Sequence, residues 1–112
     1  MILPLRLFFL IVLVSMLAVT SWASVQCALW KTPREVVTHP WFIATLFDTY
    51  WAFLTFYCWV VYKEASWIAR VAWLLGILLL GNIAMAVYML IQLFRVPVSA
   101  RIEDVLLRKT AA

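Results

Sequence analysis

The residue most able to do chemistry stands in the most aromatic part of the chain. The stretch LFDTYWAFLTFYCWVVYKE, residues 46–64, holds Asp48 among apolar neighbours. A carboxyl group there can bind and release a proton, hold a ligand, or fix the register of two helices. Its cost is large. The nine Leu, Ile, Val and Phe residues of 41–62 favour insertion into lipid by roughly 3 to 5 kcal/mol, while one central aspartate opposes it by about 2.5–3.5 kcal/mol. Such a residue is expected to face a bundle interior or another protein. Helical spacing puts Ala44, Thr45, Asp48, Ala52, Thr55 and Trp59 on one face, small enough for a second helix to approach. The opposite face, with Phe42, Phe53, Phe56 and Val60, suits lipid. Asn82 and Tyr88 are the expected partners of Asp48, with Thr45 and Tyr50 completing a candidate intramembrane polar site.

A second group of charges is Lys63, Glu64 and Arg70, with Arg6 expected on the same side. Glu64 paired with Arg70 or Arg6 would be a surface ion pair worth no more than about 1 kcal/mol, a turn and topology device. His39, Cys27 and Cys58 form no ligand set, so no metal and no cofactor are expected. The many Tyr and Trp residues suit packing and an interfacial aromatic belt, with a pocket for a flat apolar molecule as the alternative. No nucleophile with its base, no glycine-rich phosphate loop and no paired carboxylates occur. An enzyme is not expected.

These residues need elements to position them. The chain is 68% hydrophobic and only 12% charged, far from the balance of a water-soluble domain. Three apolar runs, roughly 5–23, 41–62 and 71–94, each approach the ~20 helical residues that cross a bilayer. The expected fold is all-α: one integral membrane domain over residues 1–112, a three-transmembrane-helix antiparallel bundle with a short C-terminal amphipathic helix in the tail 95–112. Pro40 fits the first turn of the second helix, and Pro97 a stop after the third. Thr32 to Glu35 matches a capping box, and Ser66 an N-cap. Ile102, Val105 and Leu106 fall on one side of the tail helix.

Ser21-Trp22-Ala23 resembles a signal-peptidase site, so an exported two-span protein cut near Ala23 is one alternative. With three spans, the first loop and the tail carry Lys31, Arg34, Arg95, Arg101, Arg108 and Lys109, against Arg6, Lys63 and Arg70 on the other side. The positive-inside rule then places the N-terminus out and the C-terminus in the cytoplasm, in a bacterial inner membrane. The basic residues lie at the ends of apolar runs and form no nucleic-acid patch.

The pattern D-T-Y-W-A-F at 48–53, Y-K-E at 62–64, Trp67, G-N-I-A at 81–84, Tyr88 and E-D-V-L-L-R at 103–108 resembles a family of uncharacterised small multi-span membrane proteins of bacteria and plants. The resemblance implies a multi-pass membrane protein and brings no activity. The expected function is that of an accessory or self-associating protein. Its partners would be the lipid bilayer, further copies of itself or another membrane protein, through helix–helix contacts. The alternative is a membrane protein that binds a small apolar molecule or handles protons through Asp48.

Overall fold

The structure is a computed structural model that describes residues 2–107, and those residues form helices and connecting turns with no strand. Helix α1 covers Ile2–Gln26, α2 Arg34–Val37, α3 Pro40–Lys63, α4 Trp67–Leu80, α5 Asn82–Phe94 and α6 Ile102–Leu106, with a 3₁₀ turn at Leu29–Lys31. Arg108 and Lys109, counted above in the tail charge, lie outside the described residues.

Local chemistry sets the ends of these helices. Pro4 falls in the first turn of α1, where a missing N–H costs nothing, and no glycine or further proline interrupts the helix. Pro40 opens α3, and the His39 side chain accepts from the Trp41 amide at 3.2 Å. Ser66 caps α4, its Oγ accepting from the Ala69 amide at 3.5 Å. Thr32, expected as a cap, precedes the observed N-cap of α2 by one residue. The N-cap of α2 is Pro33, with no side-chain cap bond, and the helix lasts a single turn.

The third apolar run does not make one helix. Trp73 and Tyr88 would lie about 22 Å apart along a straight helix, yet their ring centroids are 4.8 Å apart. The chain reverses at Gly81, whose φ of 59° and ψ of −124° lie in a region that side-chain-bearing residues rarely enter. The Gly81 amide closes α4 on the Ile77 carbonyl at 2.7 Å, and the Gly81 carbonyl opens α5 by accepting from Met85 at 3.1 Å. A Cβ at this position would stand 2.7 Å from Phe53 Cζ, so the turn needs glycine for its backbone and for its close approach to α3. The expected three-helix bundle is therefore replaced by two long helices, α1 and α3, and a hairpin of half-length helices, α4 and α5, each about 20 Å long.

Two clusters hold these parts together. In one, Phe53 and Val60 of α3 pack against Ile77 of α4 and Ala84 and Tyr88 of α5. This inverts the expected faces of α3. Phe53 and Val60 are buried and Phe56 and Tyr57 half-buried, while of the expected inward face only Trp59 packs on the core and Ala44, Thr45, Asp48, Ala52 and Thr55 are exposed. The reason is area and fit: large rings bury more surface, and the bare Gly81 backbone accepts the Phe53 ring. In the other cluster Ile2 of α1 meets Leu93 and Val96 at the end of α5 and Val105 of α6. Helices α1 and α5 thus run antiparallel, and α6 lays its apolar residue into the protein. The start of α1, the 64–66 turn, the end of α5 and α6 all gather at one end of a molecule 54 Å long.

Helix α1 is long and apolar enough, by length and composition, to cross a membrane. Helix α3 has the length, but Asp48, three threonines and several Tyr and Trp residues lower its hydropathy. The two arms of the hairpin are apolar but short.

Candidate functional site

The polar centre that the fold assembles is built on Glu64 and Tyr88. Glu64 ends α3, in extended conformation, because the chain must turn there into α4. Tyr88 lies seven residues past the hairpin apex, on the α5 face that meets both α3 and α4, and has no exposed surface. Its hydroxyl donates to Glu64 Oε1 at 3.0 Å. The rings of Phe56, Trp59 and Trp73 surround it edge-on, with centroids 6.1, 5.4 and 4.8 Å away. Edge-to-face pairs of this kind are favourable beyond their buried area. The arrangement joins three helices through one phenol. It leaves Tyr88 closed to any ligand.

The loop-side charges do gather around this centre, in a different pairing from the one expected. Arg70 Nε donates to the main-chain carbonyl of Glu64 at 2.9 Å, and its guanidinium lies over the Trp67 ring at 5.0 Å. Tyr57 donates to the Arg70 carbonyl at 2.8 Å. Among the described residues no ion pair joins Glu64 to Arg70 or Arg6; the carboxylate accepts from the Tyr88 phenol instead. Arg6 instead crosses to α5. Its Nη2 donates to the carbonyls of Leu93 at 3.1 Å and Val96 at 2.8 Å, and the group sits 4.5 Å from the Phe94 ring centroid. A cation on the last carbonyls of a helix also offsets the negative end of its dipole. Lys63 Nζ and Trp59 Nε1 hold the tail by donating to the carbonyls of Leu107 and Leu106, at 2.8 and 2.9 Å.

Asp48 is elsewhere. It lies on α3 beyond the hairpin apex, about 7.5 Å along the axis from Phe53, which marks that apex. It is exposed and has no hydrogen-bond or ion-pair partner among the described residues. Asn82 is exposed at the start of α5, likewise without a side-chain partner. Thr45 is exposed and donates to its own helix, at the Trp41 carbonyl, at 2.7 Å. Tyr50 is exposed, with its ring 5.5 Å from that of Phe53. The structure does not bring Asp48 to Asn82 or to Tyr88. Counting depths along a straight third helix cannot find this, since α5 runs back the way α4 came. Beside Asp48, the residues Leu46, Phe47, Tyr50, Trp51 and Leu54 line an open groove of about 280 Å³ with no polar lining.

Trp59, Trp73 and Phe56, the rings that enclose Tyr88, are the site residues that spacing alone misses. The available signal was the pairing of a large apolar stripe, Phe53, Phe56, Tyr57 and Val60, with a glycine-centred break between two apolar runs. Among the described residues no three His, Cys, Asp or Glu side chains cluster to hold a metal ion.

A family model described as a protein of unknown function (DUF1475) matches residues 1–111. No curated protein and no solved structure matches the chain.

Proposed function

The chain belongs to this family of proteins of unknown function, and we propose that it is an integral membrane protein that works as an assembly, through the face of α3 that carries Asp48. The outward surface supports a lipid setting. Leu3, Leu7, Phe8, Ile11, Val14 and Val19 of α1 are all more than half exposed, as are Trp41, Phe47 and Trp51 of α3. Charge is segregated along the molecule. Arg6, Lys63, Glu64, Arg70 and Arg101 lie toward one end and Lys31, Arg34, Glu35 and His39 toward the other, with Asp48 between them. Helices α1 and α3, each about 36 Å long, exceed the ~30 Å hydrocarbon thickness.

In this reading α1 and α3 cross the bilayer, while the α4–α5 hairpin enters from one side, turns near the middle at Gly81 and returns. The start of α1 and the α6 segment then share a side. Among the described residues that side carries Arg6, Lys63, Arg70, Arg95 and Arg101, against Lys31 and Arg34 opposite, so it is the cytoplasmic side. This replaces the topology with ends on opposite faces, which required a continuous third span. Retention of α1 is supported by its packing. Cleavage near Ala23 would remove Ile2, fully buried against α5 and α6, and the Arg6 clamp.

The observation that carries the proposal is the exposure of Asp48 among apolar side chains, without a hydrogen-bond or ion-pair partner among the described residues. A carboxyl left facing acyl chains offsets most of the insertion energy of its helix. A helix from another protein surface would cover it. Asp48→Ala should leave insertion intact or improved and release the protein from its complexes. Recovery in the membrane fraction reads the first and native mass spectrometry after extraction in mild detergent the second, and complexes that survive the substitution unchanged would contradict the proposal.

A further inference from the structure

Resting on that reading, we propose that the surface covering Asp48 belongs to a second copy of this chain, with the Asp48 carboxyl of one copy accepting from the Asn82 carboxamide of the other. Both groups are exposed and unpartnered among the described residues, and both fall in the apolar middle of the molecule. They are complementary. A carboxamide has two N–H donors and a carboxylate only acceptors, so each supplies what the other lacks.

Their depths match as well. The Phe53 ring touches Gly81, the residue before Asn82. Side chains on a helix lean toward its N-terminus, here toward Asp48. The axial offset between Asp48 and Asn82 is therefore about one helical turn or less, within reach of two side chains. Two copies inserted in the same direction keep that match.

Within one chain the two cannot meet. Asp48 stands about 130° around α3 from the centre of the face formed by Phe53, Phe56, Tyr57 and Val60, at ~100° per residue. The hairpin occupies that face, so Asn82 is on the wrong side of its own α3.

The surroundings favour a helix of this same chain. On the face centred on Asp48 the exposed Ala44, Thr45, Ala52 and Thr55 allow close approach of a neighbouring backbone, and the exposed Phe47 and Trp51 border that face on one side. Next to Asn82 in sequence, between the arms of the hairpin, runs an open groove of about 270 Å³ lined by Ala72, Trp73, Gly76, Leu80, Ile83, Ala84 and Val87. The small-residue face of α3 from one copy fits such a groove on the other. No Lys, Arg or His lies in residues 7–26 or 40–62 to neutralise Asp48, so what this chain can offer at that depth is a neutral donor.

The test uses the full-length protein in mild detergent and in vesicles, with Cys27 and Cys58 replaced by serine. Native mass spectrometry should show a homo-oligomer. Asp48→Ala and Asn82→Ala should each lower its association constant by about three- to thirtyfold, and the double variant should be no worse than the weaker single one. Mixing a tagged Ala52→Cys chain with an Ile83→Cys chain should give a disulfide between different copies under mild oxidation. Oligomers that cross-link through Ala52 to Ala52, and are indifferent to Asn82→Ala, would overturn the Asp48–Asn82 pairing. A single copy bound to a different membrane protein through Asp48 would overturn the second copy and keep the proposed function. A monomer with no partner, unaffected by Asp48→Ala, would overturn both.

Discussion

Replacing Gly81 with alanine should break the hairpin, and its size can be worked from the geometry. The backbone at Gly81 has φ of 59° and ψ of −124°, which costs a side-chain-bearing residue of order 1–3 kcal/mol. The added methyl would also stand 2.7 and 3.1 Å from two atoms of the Phe53 ring, and overpacking of this kind costs about 1–3 kcal/mol. The sum, roughly 2–6 kcal/mol, is comparable to the whole stability of a small domain. Thermal unfolding in detergent, followed by tryptophan fluorescence, reads the loss, because Trp59 and Trp73 report directly on the hairpin. Phe53→Leu separates the two contributions. It relieves the clash and leaves the backbone strain, so Gly81→Ala should cost less in the Phe53→Leu background than alone. The sign of the single substitution is decisive. If residues 71–94 formed one continuous helix, alanine would stabilise it by about 1 kcal/mol over glycine. A Gly81→Ala protein as stable as the parent, or more so, refutes the reversal.

Three further outcomes follow from the contacts at the crowded end. Tyr88→Phe keeps the ring packing but strands Glu64, and should lower stability by about 1.5–3 kcal/mol, the range for a hydrogen bond to a charged group, read by the same melt. Arg6→Ala removes the bonds to Leu93 and Val96 and should raise hydrogen exchange in residues 2–9 and 93–96 by tenfold or more; Arg6→Lys, with fewer donors in one plane, should restore only part of the protection. Trp59→Phe loses the bond to the Leu106 carbonyl and trims a ring packed on Tyr88, and should loosen α6, seen as faster proteolysis after Arg101 together with a modest fall in melting temperature.

Much of the helical content is legible in the residues. Pro40 and Ser66 mark helix starts, and the apolar runs mark helix bodies, because capping and burial are local or composition-driven. The reversal at Gly81 is not legible by hydropathy, which weighs how apolar residues 71–94 are and is blind to a positive φ. That single angle then misdirects everything downstream. It sends α5 back beside α4, moves Tyr88 from the level of Asp48 to the level of Glu64, and puts the start of α1 beside α6. The faces of α3 were also misread from polarity. Small polar residues suggest an interior, but the partner that this chain supplies is a bare glycine backbone suited to a ring. Charge proximity was legible and charge pairing was not. Glu64, Arg70, Arg6 and Lys63 share an end of the molecule, yet the arginines and the lysine bind carbonyls and the carboxylate binds a phenol.

The fold-back of α4 on α5 underlies the topology, the isolation of Asp48 and the exposure of Asn82, and one cross-link tests it directly. A Cβ built at Gly76 lies 3.9 Å from the Ala84 Cβ, within the span that a disulfide bridges. In a protein with Cys27 and Cys58 replaced by serine, the pair Gly76→Cys and Ala84→Cys should oxidise to an intrachain disulfide, detected as a loss of 2 Da with no thiol left to alkylate. In a continuous helix the same positions lie about 12 Å apart. Two thiols that stay reduced and fully alkylated in the folded, inserted protein would contradict the account.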